Sequence, residues 1–114
     1  MGSDDILVYI NSDRMGVGAE QLGRLLVMSF LEMLAASPVM PSRMIFVNSG
    51  VFLTTEGSEV IEILERMEQA GVEIFSCGTC LDYYRRTDSL RVGKIGNMGG
   101  TVEALMSAGK VVSP

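Results

Sequence analysis

The stretch VEIFSCGTC, residues 72–80, places a short apolar run directly before two cysteines, and it decides how the chain is interpreted. Residues 72–75 predict a buried β-strand, because a short run of branched and aromatic residues is typical of one. Residues 81–86 predict a short helix after the second cysteine. A strand that leads straight into a helix indicates the α/β class, in which parallel strands alternate with helices.

The same alternation extends in both directions along the chain. Apolar runs bounded by polar residues or glycine predict further strands at residues 6–10, 44–47, 92–95 and 111–112. Apolar residues at helical spacing predict helices at residues 19–36, 58–71 and 101–108. Ser58 is the predicted N-cap of the second of these helices, and Gly71 is its predicted C-cap residue. We therefore predict a parallel sheet covered by helices on both faces.

Polar side chains follow three of the predicted strands at the points where the strands end. The carboxyl ends of parallel strands share one edge of a sheet, and ligands bind at that edge in open α/β folds. The residues that we expect there are Asn11, Ser12, Asn48, Ser49, Cys77, Gly78 and Thr79. Asn97, ahead of Met98-Gly99-Gly100, either caps a turn or faces the same edge. Their convergence predicts a functional site.

The two cysteines are the candidate catalytic residues. Cys77 directly follows the predicted strand, where the partial positive charge of a helix N-terminus lowers the pKa of a thiol and favours the nucleophilic thiolate. Gly78 tolerates backbone conformations that larger residues oppose, and it leaves the sulfur approachable. Cys77 is therefore the predicted nucleophile, and Cys80 either pairs with it or packs. Buried packing is the alternative for both, but two cysteines separated by two residues at a strand end favour function.

Composition excludes several classes of function. Histidine is absent from the 114 residues, so there is no Ser-His or Cys-His dyad and no His-rich metal site. Two cysteines alone do not complete a four-sulfur zinc site, and we expect no metal and no cofactor. The net charge of −5, with Lys and Arg scattered, argues against nucleic acid as a partner.

Length and hydropathy predict one domain over residues 4–114, with 47% apolar residues to build its core. Met1-Gly2-Ser3 is interpreted as a start residue followed by residues left from cloning. No secretory signal opens the chain and no apolar run is long enough to span a bilayer, so we expect a cytoplasmic protein with no membrane partner. The predicted helix at 19–36 is apolar on nearly every side. It needs a second contact beyond the sheet, which predicts a homo-oligomer.

Five segments of the chain resemble the DsrE/DsrF-like superfamily. These are NSGV (48–51), EGSE (56–59), GVEI (71–74), SCGTCLDYY (76–84) and VGKIGNM (92–98). Within the superfamily the chain is most similar to the C-terminal domain of YedF, a sulfurtransferase-like protein of selenium metabolism. The resemblance implies a three-layer α/β/α fold with a mostly parallel five-stranded sheet, homo-oligomers, and a persulfide on the cysteine after the third strand. That position is Cys77 here.

YedF-like proteins usually carry an N-terminal TusA-like domain with a Cys-Pro-x-Pro motif, and this chain contains no such motif. The chain is therefore expected to be an excised domain or a stand-alone form. The implied partners are sulfur-donor and sulfur-acceptor proteins, a TusA-like protein among them.

Three functions stay open from the sequence. The first is a sulfurtransferase-like carrier in sulfur relay or selenium metabolism, which holds sulfane sulfur or selenium on Cys77, with Cys80 releasing it by disulfide exchange. The second is a thiol–disulfide redox protein or sensor that uses both cysteines directly. The third is a non-catalytic module that binds a small ligand or a protein at the strand edge.

Overall fold

Five β-strands and four α-helices alternate along residues 5–114, which are the residues that the computed structural model describes. The strands are β1 (Ile6–Ile10), β2 (Arg43–Phe46), β3 (Glu73–Cys77), β4 (Lys94–Gly96) and β5 (Lys110–Val112). The helices are α1 (Glu20–Ala35), α2 (Ile61–Gln69), α3 (Gly78–Tyr83) and α4 (Met98–Ser107), with short 3-10 helices at Asn48–Leu53 and Thr87–Ser89. Residues 1–3, interpreted above as start and cloning residues, lie outside the described residues, as does residue 4.

The strands form one parallel sheet in the order β4-β3-β2-β1-β5. Helices lie on both faces, because each crossover between parallel strands must pass over the sheet. The predicted three-layer α/β/α fold with a five-stranded parallel sheet is therefore confirmed.

Each face of the sheet has its own core. On one face, α1 and α2 bury Val27, Leu31 and Leu64 against the strands. On the other face, α4 contributes Ala104 to a smaller core that also contains Cys77. The last residue of β3 therefore directs its thiol toward α4.

The connections of the sheet change face between β3 and β4. Leu81 of α3, which follows β3, lies in the core of α1 and α2, whereas α4, which follows β4, lies on the opposite face. In open α/β sheets the crevice between two such strands is where ligands bind. Cys77 pairs with Gly96 at the carboxyl ends of these two strands, so the thiol segment borders the crevice.

The helix starts predicted at residues 58 and 101 are wrong. The helix predicted from Ser58 begins at Ile61, because Ser58 accepts the Val60 N–H in a local turn (3.1 Å) and Val60 takes the N-cap position. The last helix begins at Met98 instead of residue 101. Gly71 follows the end of α2 as predicted, and its φ of +105° is a conformation that glycine adopts without steric cost.

The third strand is longer than predicted. It extends over Ser76 and Cys77, because these residues continue the ladder to β2 and β4. Cys77 is therefore the last residue of the strand rather than the first residue after it. The short helix predicted at residues 81–86 begins at Gly78, directly after the strand, and Cys80 lies in its first turn.

The outer surface of α1 carries several large apolar side chains among polar ones. Its exposed side chains include Leu22, Leu25, Leu26 and Met33. This agrees with the observation that led to the predicted homo-oligomer, while the oligomer itself stays a prediction.

A search of the helices within residues 5–114 finds none with the length and apolar character that crossing a membrane requires. The cytoplasmic location and the exclusion of nucleic acid stay predictions from the sequence.

Replacing Leu31 by alanine should lower the free energy of unfolding by about 2–5 kcal/mol, because a buried leucine leaves a cavity when it is truncated. Leu31 is 0% exposed, whereas Leu25 on the same helix is 62% exposed. Leu25→Ala is the matched control and should change the stability by less than about 0.5 kcal/mol. Urea unfolding followed by circular dichroism measures both, and equal losses would contradict the assignment of the two faces of α1.

Candidate functional site

The Cys80 thiol lies where three segments of the chain meet. Cys80 belongs to the first turn of α3, and its Sγ accepts the backbone N–H of Asn48 at 3.1 Å. Cys77, at the end of β3, lies in the core against which Cys80 packs, and its thiol contributes to raising the pKa of Cys80. Both are free thiols.

Asn48 is held in an unusual backbone conformation. It is the first residue of the 3-10 helix after β2, and its φ is +51°. Few residues other than glycine adopt this left-handed region, and asparagine is among those that do so most readily. The Asn48 side chain is fixed as well, because its Oδ1 accepts the Tyr84 hydroxyl at 2.8 Å.

Tyr84 is a site residue that the sequence analysis did not identify. Its ring packs against Phe52 with the centroids 4.5 Å apart, and its hydroxyl reaches Asn48. One signal was present in the sequence: Tyr84 stands four residues after Cys80, a spacing that puts two residues on the same face of a helix.

The two thiols differ in accessibility, and the order is the reverse of the expected one. Cys77 is 4% exposed and packs in the core with Ile45, Val47 and Ala104, whereas Cys80 is half-buried. The physical reason is the alternation of side chains along a strand. Ser76 points to the core of α1 and α2, so the next residue, Cys77, must point into the α4 face.

Burial raises the pKa of the Cys80 thiol above its ordinary value. The Asn48 N–H acts in the opposite direction, while the neighbouring Cys77 thiol adds to the rise. The net shift of the Cys80 pKa is upward, which favours the protonated thiol.

Comparison with known proteins identifies the fold. The chain is similar to the crystal structure of the ychN protein from E. coli, with 20% identity, a TM-score of 0.68, and coverage of 97% of this chain and 99% of that one. It is also similar to MTH1491, a protein of unknown function from Methanobacterium thermoautotrophicum, with 17% identity, a TM-score of 0.71 and the same coverage. The fold is DsrE/F-like.

At these identities the likeness concerns the fold alone. No protein-family model matches the chain, and neither does any curated protein sequence. The chemistry of this DsrE/F-like domain must therefore be argued from its own residues.

Gly78 connects the thiol segment to β4. A Cβ at this position would lie 3.1 Å from Cγ2 of Ile95 and 3.3 Å from the carbonyl oxygen of Gly96. A side chain at this position would therefore require Ile95 or Gly96 to shift by a few tenths of an ångström. The backbone angle of Gly78, which the sequence analysis invoked, is not in the left-handed region.

The other predicted edge residues do not contact the thiols. Ser12 Oγ accepts the Arg14 N–H (3.1 Å), and Ser49 Oγ accepts the Asp13 N–H (3.2 Å). Asn11 lines a separate open depression of about 400 Å³. The hydrogen bonds of Ser12 and Ser49 close the loop after β1.

Thr79 and Asn97 form no hydrogen bond to either thiol within the described residues. Thr79 is exposed on α3. Asn97 caps α4, where its Oδ1 accepts the Gly100 N–H at 2.8 Å, so the capping alternative is the one observed. Of the polar edge residues, Asn48 is the one that hydrogen-bonds to a thiol in the described part of the chain. Within residues 5–114, no three His, Cys, Asp or Glu side chains are grouped closely enough to hold a metal ion.

This arrangement suits thiol exchange. Cys80 is the partly exposed thiol, and it packs against the core that contains the buried Cys77. Such a pair supports a persulfide on the outer sulfur or a disulfide between the two.

Iodoacetamide should alkylate Cys80 faster than Cys77. We compare Cys77→Ala, which retains Cys80, with Cys80→Ala, which retains Cys77. The buried Cys77 reacts only when the structure opens, so its alkylation rate should be at least roughly tenfold lower than that of Cys80. The alkylation rate of Cys80 should increase at a higher pH than that of free cysteine, because the pKa of Cys80 is raised. Equal rates for the two thiols would contradict the burial described here.

Proposed function

We propose that this protein carries sulfane sulfur, or selenium in its place, as a persulfide on Cys80, with Cys77 as the second thiol of the exchange. The observation that carries the proposal is the half-buried Cys80 thiol, which packs against the core that contains the buried Cys77, next to the strands β3 and β4 where the connections change face. The DsrE/F-like fold supports a sulfur-relay role without establishing it.

Loading requires a donor persulfide, R–S–SH, and no other reagent. The Cys80 thiolate attacks the outer sulfur, and the S–S bond of the donor breaks. The donor sulfur leaves with the bonding electron pair and takes up the proton that Cys80 has lost. The products are R–SH and Cys80–S–SH, so no electrons are gained or lost overall.

Release follows one of two balanced routes. An acceptor thiol attacks the terminal sulfur of Cys80–S–SH, which transfers the sulfur atom and restores the Cys80 thiol. Alternatively, Cys77 attacks the inner sulfur. This step forms a Cys77–Cys80 disulfide and expels hydrogen sulfide, so the two thiols are oxidised and the sulfane sulfur is reduced.

The persulfide is placed on Cys80, although the family resemblance places it on Cys77. A protein-bound donor must bring its sulfur to within bonding distance of the acceptor, and the burial of Cys77 opposes this. The proposed partners are sulfur-donor and sulfur-acceptor proteins, for which a TusA-like protein is one candidate. The relation to YedF and to selenium metabolism is part of the same proposal.

A second candidate function is thiol–disulfide exchange by the two cysteines themselves. The packing of Cys80 against the core that contains Cys77 favours it, because a disulfide requires the two sulfur atoms to approach each other. This redox protein would reduce insulin disulfides catalytically and would need both cysteines. The carrier would transfer sulfur without catalysing insulin reduction.

Incubation with a cysteine desulfurase and cysteine should add one sulfur atom to the wild-type protein, detected by intact-protein mass spectrometry. Cys77→Ala should retain the adduct, because Cys80 remains. Cys80→Ala should lose it. Dithiothreitol should remove the adduct and release sulfide.

The two matched cysteine variants separate the alternatives. An adduct that survives in Cys80→Ala but not in Cys77→Ala would move the carrier role to Cys77. Failure of the wild-type protein to gain sulfur from either the desulfurase or inorganic polysulfide would refute the carrier. Insulin reduction that depends on both cysteines would then establish the redox function, and its absence would favour the binding module.

A further inference from the structure

Asn48 and Tyr84 form a hydrogen-bonded pair beside the exchanging sulfur. The Tyr84 hydroxyl donates to Oδ1 of Asn48 at 2.8 Å, and the backbone N–H of the same asparagine donates to Cys80 Sγ at 3.1 Å. Asn48, on the 3-10 helix after β2, thus contacts both a sulfur and an aromatic side chain of the α3 segment.

We propose that Asn48 and Tyr84 are positioning residues, which together hold the Asn48 backbone N–H on the Cys80 sulfur as a preformed donor to its anionic form. The proposal deepens the proposed function and rests on it for the role of the Cys80 sulfur in exchange. The hydrogen-bond geometry itself does not depend on what that sulfur carries.

The backbone of Asn48 needs a restraint to keep this direction. Its φ of +51° lies in a region that side-chain-bearing residues seldom occupy, because the Cβ approaches the backbone there. The preceding residue is anchored, since the Val47 N–H donates to the Ile10 carbonyl at 2.9 Å. The Tyr84 hydroxyl restrains the side chain, and the N–H between these two anchors points at Cys80.

A directed N–H stabilises an ionised sulfur more than a neutral one, because hydrogen bonds to charged acceptors are the stronger kind. The same effect favours the sulfur anion that attacks or leaves during exchange. Burial and the Cys77 thiol raise the pKa of Cys80, so the Asn48 N–H is the contribution that favours its ionisation.

The charged groups around α3 are engaged elsewhere. Asp82 accepts the Thr87 hydroxyl at 2.6 Å. Arg86 lies 4.9 Å from the Phe52 ring centroid and donates to the Glu56 carbonyl.

Further charged and titratable residues belong to the same segments, namely Tyr83, Arg85 and Asp88. None of these, nor Asp82 or Arg86, contributes to the shift of the Cys80 pKa, whereas Cys77 from β3 does. A test of the N–H donor must therefore remove the Cys77 thiol first.

The test is the pH profile of iodoacetamide alkylation, measured in the Cys77→Ala protein. Adding Tyr84→Phe removes one hydroxyl and keeps the ring that packs on Phe52. We expect the alkylation rate at neutral pH to fall roughly fivefold and the profile to move to higher pH, as for the loss of one hydrogen bond. Tyr83→Phe is the matched control, because it removes a hydroxyl from the neighbouring exposed ring and should leave the profile unchanged.

Asn48→Gly tests the second half of the pair. Glycine keeps the backbone N–H and tolerates the positive φ, but it removes the side chain that Tyr84 holds. It should shift the profile in the same direction, and the double variant with Tyr84→Phe should show no additional shift, because both changes remove one interaction.

The outcomes separate this proposal from the carrier function. A pH profile that neither Tyr84→Phe nor Asn48→Gly moves would overturn the positioning role, even if the variants lose stability. A shifted profile in a protein that gains no sulfur from any donor would retain the positioning role and refute the carrier. A persulfide adduct together with unchanged pH profiles would support the carrier and refute the positioning role.

Discussion

The parallel pairing of β3 with β2 and β4 holds Ser76 and Cys77 on opposite faces of the sheet. Ser76 lies in the core under α1 and α2, where its hydroxyl is 2.7 Å from that of Thr54, and Cys77 lies in the core under α4. The next residues turn into α3, in whose first turn Cys80 is half-buried. The alternation of side chains along β3 thus encloses Cys77, and the turn into α3 leaves Cys80 partly exposed.

The accessible thiol is subject to two opposing effects. Burial makes the charged form of Cys80 less favourable, while the Asn48 N–H makes it more favourable. The net direction of these effects favours the protonated thiol, and the Asn48 N–H is the contribution that favours the anion.

The comparison with other structures separates fold from chemistry. Identities of 17% and 20% suffice for the same fold over nearly the whole chain, because apolar patterning and strand–helix alternation determine the layers. The contacts around Cys80 depend on individual residues instead. Asn48 contributes a left-handed backbone and Tyr84 a hydroxyl, and neither follows from membership of a fold.

The sequence by itself determined the alternation of elements, the parallel sheet and the location of the cysteine pair at a strand end. These depend on local patterns, such as the apolar run at residues 72–75 and the glycine that ends α2. It also identified Asn48 as an edge residue. Only the tertiary structure decided that Cys80 is the accessible thiol and that Tyr84 belongs to the site. Accessibility and the Tyr84–Asn48 contact depend on how segments 32 and 36 residues apart in the chain pack against each other, which no local pattern encodes.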